Sequence, residues 1–80
     1  MNINEIIPRL NEVFRDVFDD TTIIVNEKTT SDDIEDWDSL AHINLVAAVE
    51  NEFCLRFKMR EVSSMKNVGD MINIISERGK

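Results

Sequence analysis

The sequence places Asp38-Ser39-Leu40 at the head of the run DSLAHINLVAAVENEF, residues 38–53. The run follows an acidic segment rich in turn-forming residues, and its apolar residues recur with helical spacing. We therefore expect a helix from about Ser39 to Phe53, with Asp38 or Ser39 as its N-cap. At such a terminus the free backbone N–H groups and the helix dipole favour an anion, so the Ser39 hydroxyl is suited to carry a phosphate ester.

This helix has two apolar faces on a helical wheel. The face expected to pack against the first helix is formed by Leu45, Val46, Val49 and Phe53. The opposite face mixes apolar and polar side chains: Leu40, Ile43, Asn44, Ala47, Glu50 and Asn51. A mildly apolar stripe of this kind is typical of a transient docking surface, although ordinary protein surfaces also expose apolar side chains.

An earlier amphipathic pattern predicts a first helix. Its apolar residues share one face: Ile3, Ile6, Ile7, Leu10, Val13, Phe14, Val17 and Phe18. Pro8 fits near the start of this helix if the cap lies around Asn4 or Glu5, because its missing N–H is then unneeded. The acidic pair Asp19-Asp20 ends the pattern.

From Asp19 to Asp38 the helical period fails, and Thr, Asn, Ser and Asp dominate. These residues favour turns, so we expect a long loop. A loop of this length needs apolar anchors. Five apolar residues are available for that role: Ile23, Ile24, Val25, Ile34 and Trp37. A short strand at Ile23 to Val25 is the alternative, but no partner strand is evident.

After Phe53, residues 54–60 alternate apolar with basic side chains, which by itself indicates a strand. With a single such run, we instead expect an extended connection that buries Leu55 or Phe57, followed by a helical turn near Glu61 to Met65. Asn67 then caps a last helix that ends before Gly79. The apolar face of that helix is formed by Val68, Met71, Ile72 and Ile75. The pattern predicts a small helical bundle.

Composition limits the classes of function. The 80 residues suffice for one domain, and 16 acidic against 9 basic residues give a net charge of −7. That charge argues against nucleic acid or an anionic membrane as partner and favours a basic protein surface. Cys54 is the single cysteine, which excludes an intrachain disulfide. With neither a signal peptide nor a membrane-spanning stretch in the pattern, we expect a cytoplasmic protein.

Two segments together resemble the acyl carrier proteins, the phosphopantetheine-binding carrier family. Residues 34–40, Ile-Glu-Asp-Trp-Asp-Ser-Leu, resemble the acidic loop and attachment motif, and residues 50–53, Glu-Asn-Glu-Phe, resemble the close of the second helix. The likeness covers nearly the whole chain. It implies an all-α, acyl-carrier-like four-helix bundle with three longer helices, one short helix and a long loop between helices 1 and 2. Residues 1–80 would form a single carrier domain.

The resemblance also implies a function. A phosphopantetheinyl transferase would use coenzyme A to attach 4′-phosphopantetheine to the Ser39 hydroxyl, and the thiol of this arm would hold acyl groups as thioesters. Acyl-loading, acyl-transferring or condensing enzymes would then act on a monomeric carrier that catalyses nothing itself. The residues expected to contact these partners are Asp38, Leu40, Ile43, Asn44, Ala47 and Glu50. The acyl chain would be sheltered by Val46, Phe57, Val62, Met65 and Val68.

Two departures from the family bear on the pathway. Many carriers have Leu-Gly and one more residue before Asp-Ser-Leu, whereas here Trp37 abuts Asp38. The exposed face of helix two carries Ala41, Asn44 and Asn51 where fatty-acid-synthesis carriers are strongly acidic. Both favour a specialised polyketide, surface-polysaccharide or modified-lipid pathway over housekeeping fatty acid synthesis. A non-carrier helical adaptor, with Ser39 as a plain N-cap, is a further alternative.

Three other features admit chemical roles. His42 lies one helical turn from Ser39 and is a candidate for a Ser-His dyad, but a partly buried, hydrogen-bonded histidine at the mouth of an acyl pocket is favoured. Cys54 is expected to be a small buried apolar residue rather than an acyl-bearing thiol. An acidic cluster matches no EF-hand spacing, so loose binding of a divalent cation is the alternative and a solvated docking patch for a basic enzyme is favoured. Its members are Asp32, Asp33, Glu35, Asp36 and Asp38.

Overall fold

The computed structural model of the protein describes residues 1–79 and is all-helical over that range. Its four α-helices are α1 (Ile3–Phe18), α2 (Ser39–Phe53), α3 (Met59–Ser64) and α4 (Val68–Arg78). A 3₁₀ helix, Ser31–Asp33, interrupts the long loop between α1 and α2. The predicted fold class, with one short helix and a long first loop, is confirmed.

Helix α1 begins earlier than predicted. Asn2 is its N-cap, and the Asn2 side chain accepts a hydrogen bond from the Glu5 N–H at 3.1 Å. The predicted cap around Asn4 or Glu5 is therefore wrong, and Pro8 lies inside the helix. The cost is the hydrogen bond that a Pro8 N–H would have given to the Asn4 carbonyl. Because Pro8 is exposed, water can reach that side of the helix.

The core lies where α1 packs against α2 and α4. All four residues predicted for the inner face of α2 are buried, as are the four predicted for α4. Arg9 joins α1 to the end of α2: its Nε donates to the Glu52 carboxylate at 2.7 Å, and its guanidinium lies 4.5 Å from the centre of the Phe53 ring. These contacts fix α2 relative to α1.

The long loop is anchored by apolar side chains, largely as predicted. Val25 is buried, and Ile23, Ile34 and Trp37 are half-buried against the core. Ile24 is 75% exposed, so its predicted role as an anchor is wrong. Residues 23–25 form no strand, and alternate side chains of this extended segment point inward and outward.

Polar contacts tie the same loop to α1. The Asn11 side chain accepts a hydrogen bond from the Val25 N–H at 2.8 Å. Arg15 Nε donates to the Ile23 carbonyl at 2.8 Å. Because the N–H of a buried residue needs a partner, the Asn11 amide fixes the position at which the loop crosses α1.

The loop also caps α4. The Val68 N–H donates to the Thr29 carbonyl at 2.8 Å, and the Gly69 N–H donates to the Glu27 carbonyl at 2.9 Å. Two first-turn donors of α4, which have no carbonyl partner inside the helix, are thus satisfied by the loop. A Cβ atom on Gly69 would lie 2.8 Å from the Glu27 oxygen, so this close approach requires glycine.

The connection after α2 differs from the prediction at Cys54. This residue is exposed and adopts the left-handed conformation, φ 53°, as the C-cap of α2. The prediction of a buried Cys54 is wrong, because the reversal of the chain turns the side chain outward. Leu55 is buried and Phe57 half-buried, which confirms that this segment contributes to the core.

Helix α3 begins at Met59, two residues before the predicted turn. The Glu61 carboxylate accepts a hydrogen bond from the Lys58 N–H at 2.7 Å and forms an ion pair with Arg78 at the end of α4. Arg78 also donates to the Arg56 carbonyl at 3.2 Å. One carboxylate therefore fixes both the start of α3 and its position against α4.

Candidate functional site

Ser39 is the first residue of α2 and is exposed. Asp38, not Ser39, is the N-cap: its carboxylate accepts from the Ala41 N–H at 2.8 Å, and its carbonyl accepts from the His42 N–H at 2.9 Å. Because Asp38 caps the helix, the Ser39 hydroxyl is not needed for capping. It is free to be modified.

The first turn of α2 fits a phosphate ester on this hydroxyl. The N–H groups of Ser39 and Leu40 have no carbonyl partner within the helix, and the positive end of the helix dipole lies at the same point. A phosphodiester on the Ser39 oxygen would meet both. The Asp38 carboxylate beside it already accepts a hydrogen bond from Ala41.

A cleft of about 390 Å³ opens beside Ser39. Its lining residues come from the first loop with its 3₁₀ helix, the start of α2, α3 with the turn that follows it, and α4: Ser31, Trp37, Asp38, Ser39, His42, Val62, Ser63, Met65, Lys66, Asn67 and Met71. Met71 is almost fully buried. The cleft therefore runs from the exposed serine to the edge of the core.

Trp37 forms an aromatic wall of this cleft. Its ring meets Phe14 edge-on with centroids 5.4 Å apart, and lies 6.2 Å from Phe18. On the other side it stacks on His42, with centroids 6.0 Å apart and planes 24° apart. Contacts with two residues of α1 hold the indole in place two residues before Ser39.

His42 uses both ring nitrogens within the protein. Trp37 Nε1 donates to His42 Nδ1 at 3.2 Å, and His42 Nε2 lies 3.2 Å from the Val62 carbonyl oxygen. Because an indole nitrogen only donates, Nδ1 is the acceptor and the proton is on Nε2, which donates to Val62. The half-buried, hydrogen-bonded histidine is thus confirmed. Because Nδ1 faces the Trp37 indole and Nε2 faces Val62, neither ring nitrogen is directed at Ser39, which removes the basis for a dyad.

The five predicted acyl-pocket residues divide into two groups. Val62 and Met65 line the cleft beside Ser39. Val46 and Val68 are buried outside its lining, and Phe57 is half-buried against the core. Of the five, only Val62 of α3 and Met65, the residue after α3, lie together in this cleft.

The predicted partner-contact residues are mostly on the surface. Leu40 is 69% exposed and Ile43 63% exposed, and Asp38, Asn44 and Ala47 are also exposed.

Glu50 is the exception among them. Its carboxylate accepts a hydrogen bond from the Phe57 N–H at 2.8 Å and lies 3.8 Å from Arg56, and 18% of its side chain is exposed. Glu50 anchors the connection after α2 instead of lying free at the edge of the stripe.

The acidic residues of the first loop are exposed and dispersed. Asp33 accepts a hydrogen bond from the Thr30 N–H at 2.9 Å within the 3₁₀ turn. Within residues 1–79, no three potential metal-binding side chains converge. Over the same range, no helix has the length and apolar character needed to cross a bilayer.

Sequence reasoning missed part of the cleft. Ser63 and Lys66 line it, and Asn67 and Met71 do so in addition to their roles as cap and core residue of α4. No periodic signal marks them, because the path of the α3–α4 turn depends on tertiary packing. The sequence feature that best indicates the cleft is the bulky Trp37 directly before Asp38, since both residues line it.

The chain is similar to proteins of known kind. It is 36% identical over 73 residues to an acyl carrier protein of Acidothermus cellulolyticus, covering 90% of this chain and 86% of that protein. A solution NMR structure of a holo acyl carrier protein from Geobacter metallireducens superposes with a TM-score of 0.84 at 36% identity, covering 90% of this chain and 83% of that one. No protein-family model matches the chain.

Proposed function

This chain belongs to the acyl carrier protein family, and on that premise we propose that Ser39 is the attachment site of 4′-phosphopantetheine. The arm supplies a thiol that holds an acyl group as a thioester. The holo state of the Geobacter metallireducens relative supports this assignment. The protein's own residues present the hydroxyl, receive the phosphate at the start of α2 and offer a cleft beside it. In this proposal the chain carries the acyl group, and separate enzymes carry out the chemistry.

One observation carries the proposal: the Ser39 hydroxyl is exposed at the first position of α2 while Asp38 makes the capping bond. A plain N-cap serine would itself accept the bond from the helix N–H. The adaptor alternative needs Ser39 to be the N-cap of α2, and Asp38 has that position instead.

The test is intact mass after incubation with coenzyme A, magnesium and a broad-specificity phosphopantetheinyl transferase. We expect a gain of about 340 Da, the mass of one phosphopantetheinyl group, in the wild type and none in Ser39→Ala. Ser63→Ala is the matched control, because Ser63 is exposed and lines the same cleft. It should gain the full mass. A wild type that stays unmodified, or a Ser39→Ala variant that gains the mass, contradicts the proposal.

We assign partner contact to the exposed stripe of α2. Leu40 and Ile43 lie exposed just beyond Ser39, so an enzyme that reaches the hydroxyl or the arm meets them as well. The partners are the transferase and acyl-loading, acyl-transferring or condensing enzymes, acting on a cytoplasmic monomer whose residues 1–80 form one carrier domain. Ile43→Asp should slow modification by the transferase, whereas Asn51→Asp, which adds the same charge farther along α2, should not.

The pathway we propose is a specialised one. Two features support this proposal: the Trp37 wall of the cleft, and the uncharged residues Ala41, Asn44 and Asn51 on α2. Expression in a cell depleted of its fatty acid synthesis carrier should fail to restore growth, although the protein is modified there. Restored growth would support the housekeeping role instead.

A further inference from the structure

Three elements are joined by hydrogen bonds where the cleft meets the core. The Trp37 indole, on the loop before α2, donates to His42 of α2, and His42 in turn donates to the Val62 carbonyl of α3. All three residues line the cleft that starts at Ser39. We call this chain of contacts the Trp37–His42–Val62 bridge.

The bridge crosses the cleft between Ser39 and the core. A group tethered to Ser39 enters the cleft beside the serine, and to move farther between α2 and α3 it must pass His42 and Val62. We propose that the bridge closes this route to long acyl chains, so that the carrier is matched to short ones. This inference rests on the proposed attachment at Ser39.

Opening the bridge carries a free-energy cost that opposes insertion of an acyl chain. A long chain that inserts between α2 and α3 separates His42 from Val62 and leaves half-buried polar groups without partners. Each such loss costs as much as the burial of one or more methylene groups gains. The aromatic contacts of Trp37 with Phe14 and Phe18 oppose its displacement as well. A short acyl group stays in the cleft and leaves the bridge intact.

The experiment compares acetyl and octanoyl groups on the same protein. The transferase loads each from the corresponding acyl coenzyme A, and intact mass confirms loading. Two properties are then measured: the rate of thioester cleavage by hydroxylamine, relative to the same thioester on free pantetheine, and the NMR signal of the indole N–H of Trp37, the single tryptophan of the chain. In the wild type, both thioesters should be cleaved at the same relative rate, and the indole signal should stay in place.

Variants of His42 separate the bridge from the general fold. His42→Leu fills similar space without the hydrogen bonds and should slow cleavage of the octanoyl thioester about tenfold. A tenfold change corresponds to the free-energy cost of leaving one buried polar group unpaired, a cost that insertion of the chain no longer incurs in this variant. His42→Gln keeps an acceptor and a donor and should behave as wild type. Asn51→Leu, an exposed change on the same helix, is the control. If His42→Leu does not fold, Trp37→Phe removes the indole donor and weakens the aromatic wall while the His42–Val62 contact remains, and it should slow octanoyl cleavage in the same direction but by less.

The outcomes are distinct. Absence of loading at Ser39 overturns the proposed function together with this inference. Two results with normal loading overturn this inference and leave the carrier function standing. One is an octanoyl thioester that is already protected in the wild type, and the other is equal cleavage in the wild type and the bridge variants.

Discussion

Cys54 takes the left-handed conformation that glycine adopts without steric cost, yet it carries a side chain exposed to solvent. We predict that Cys54→Gly raises the free energy of unfolding by up to about 1 kcal/mol, because relief of the Cβ clash exceeds the added entropy of the unfolded chain. Urea denaturation measures it. Cys54→Ser keeps the Cβ atom and should leave stability unchanged; a glycine variant weaker than the serine variant would contradict the account.

For individual residues, caps and side-chain burial were only partly predictable from the sequence. Asp38 was one of two candidate caps, and only the contact between its carboxylate and the Ala41 N–H decided between them. The outward turn of Cys54 was hidden, because a free cysteine is more often buried than placed at a helix end. His42 was predicted correctly as a half-buried, bonded side chain, but its two partners come from other elements.

At the scale of elements, the Asn11 amide is one of two polar side chains of α1 that hold the first loop, the other being Arg15. Asn11→Leu removes the acceptor of the buried Val25 N–H, and we predict a loss of about 1–3 kcal/mol in the free energy of unfolding. Hydrogen exchange at the Val25 amide should accelerate more than exchange in α2. Asn4→Leu, an exposed asparagine to leucine change on the same helix, should have little effect. Equal losses in the two variants would rule out the anchoring role of Asn11.

Helix α3 is held through Glu61, and this attachment depends on pH. The hydrogen bond from Arg78, followed by that from the Lys58 N–H, lowers the pKa of Glu61 below its ordinary value, and Glu61 in turn raises the pKa of Arg78. Because the folded-state pKa of Glu61 is lowered, the contribution of this carboxylate to stability is complete above the ordinary pKa of glutamate. That contribution is lost as pH falls below the ordinary pKa and through the lowered folded-state pKa.

Carboxyl NMR titration tests this ion pair. The pKa of Glu61 should lie below its ordinary value in the wild type and rise in Arg78→Gln, while backbone signals of α3 shift over the same acidic range. The pKa of Asp20, lowered by the Thr22 hydroxyl and N–H, should stay the same in that variant and serves as the internal control. A Glu61 pKa that does not respond to Arg78→Gln would contradict the attachment.

The elements themselves were largely predictable, and their connections were not. The apolar periods of α1, α2 and α4 identified the buried faces, because burial of one face is what stabilises a short helix. The start of α1 was misplaced because Pro8 was taken to mark a first turn, when Asn2 caps the helix. The contacts from Thr29 and Glu27 to the start of α4 join residues far apart in sequence, and no local pattern encodes them.

For the whole molecule, charge is segregated along the chain. Residues 1–53 carry a net −10 and residues 54–80 a net +3. The radius of gyration is 11.3 Å, whereas the screening length is about 30 Å at 10 mM salt and about 8 Å at 0.15 M. At low salt the acidic groups therefore repel one another across the entire fold, and we expect this repulsion to outweigh the surface ion pairs, which contribute little individually.

We predict that raising salt from about 10 mM to about 150 mM increases the midpoint of thermal unfolding. The double variant Glu35→Gln with Asp36→Asn removes two exposed acids and should show a smaller increase. A midpoint that falls with added salt would mean that attractive ion pairs dominate.

The position of the attached group on the chain can be measured directly. After modification by the transferase, trypsin releases residues 29–56 as one peptide that contains both Ser31 and Ser39. Tandem mass spectrometry then places the added group of about 340 Da. We expect fragments that contain Ser39 to carry the added group and fragments that end before Asp38 to lack it. The added mass on Ser31, or on any peptide other than 29–56, would contradict it.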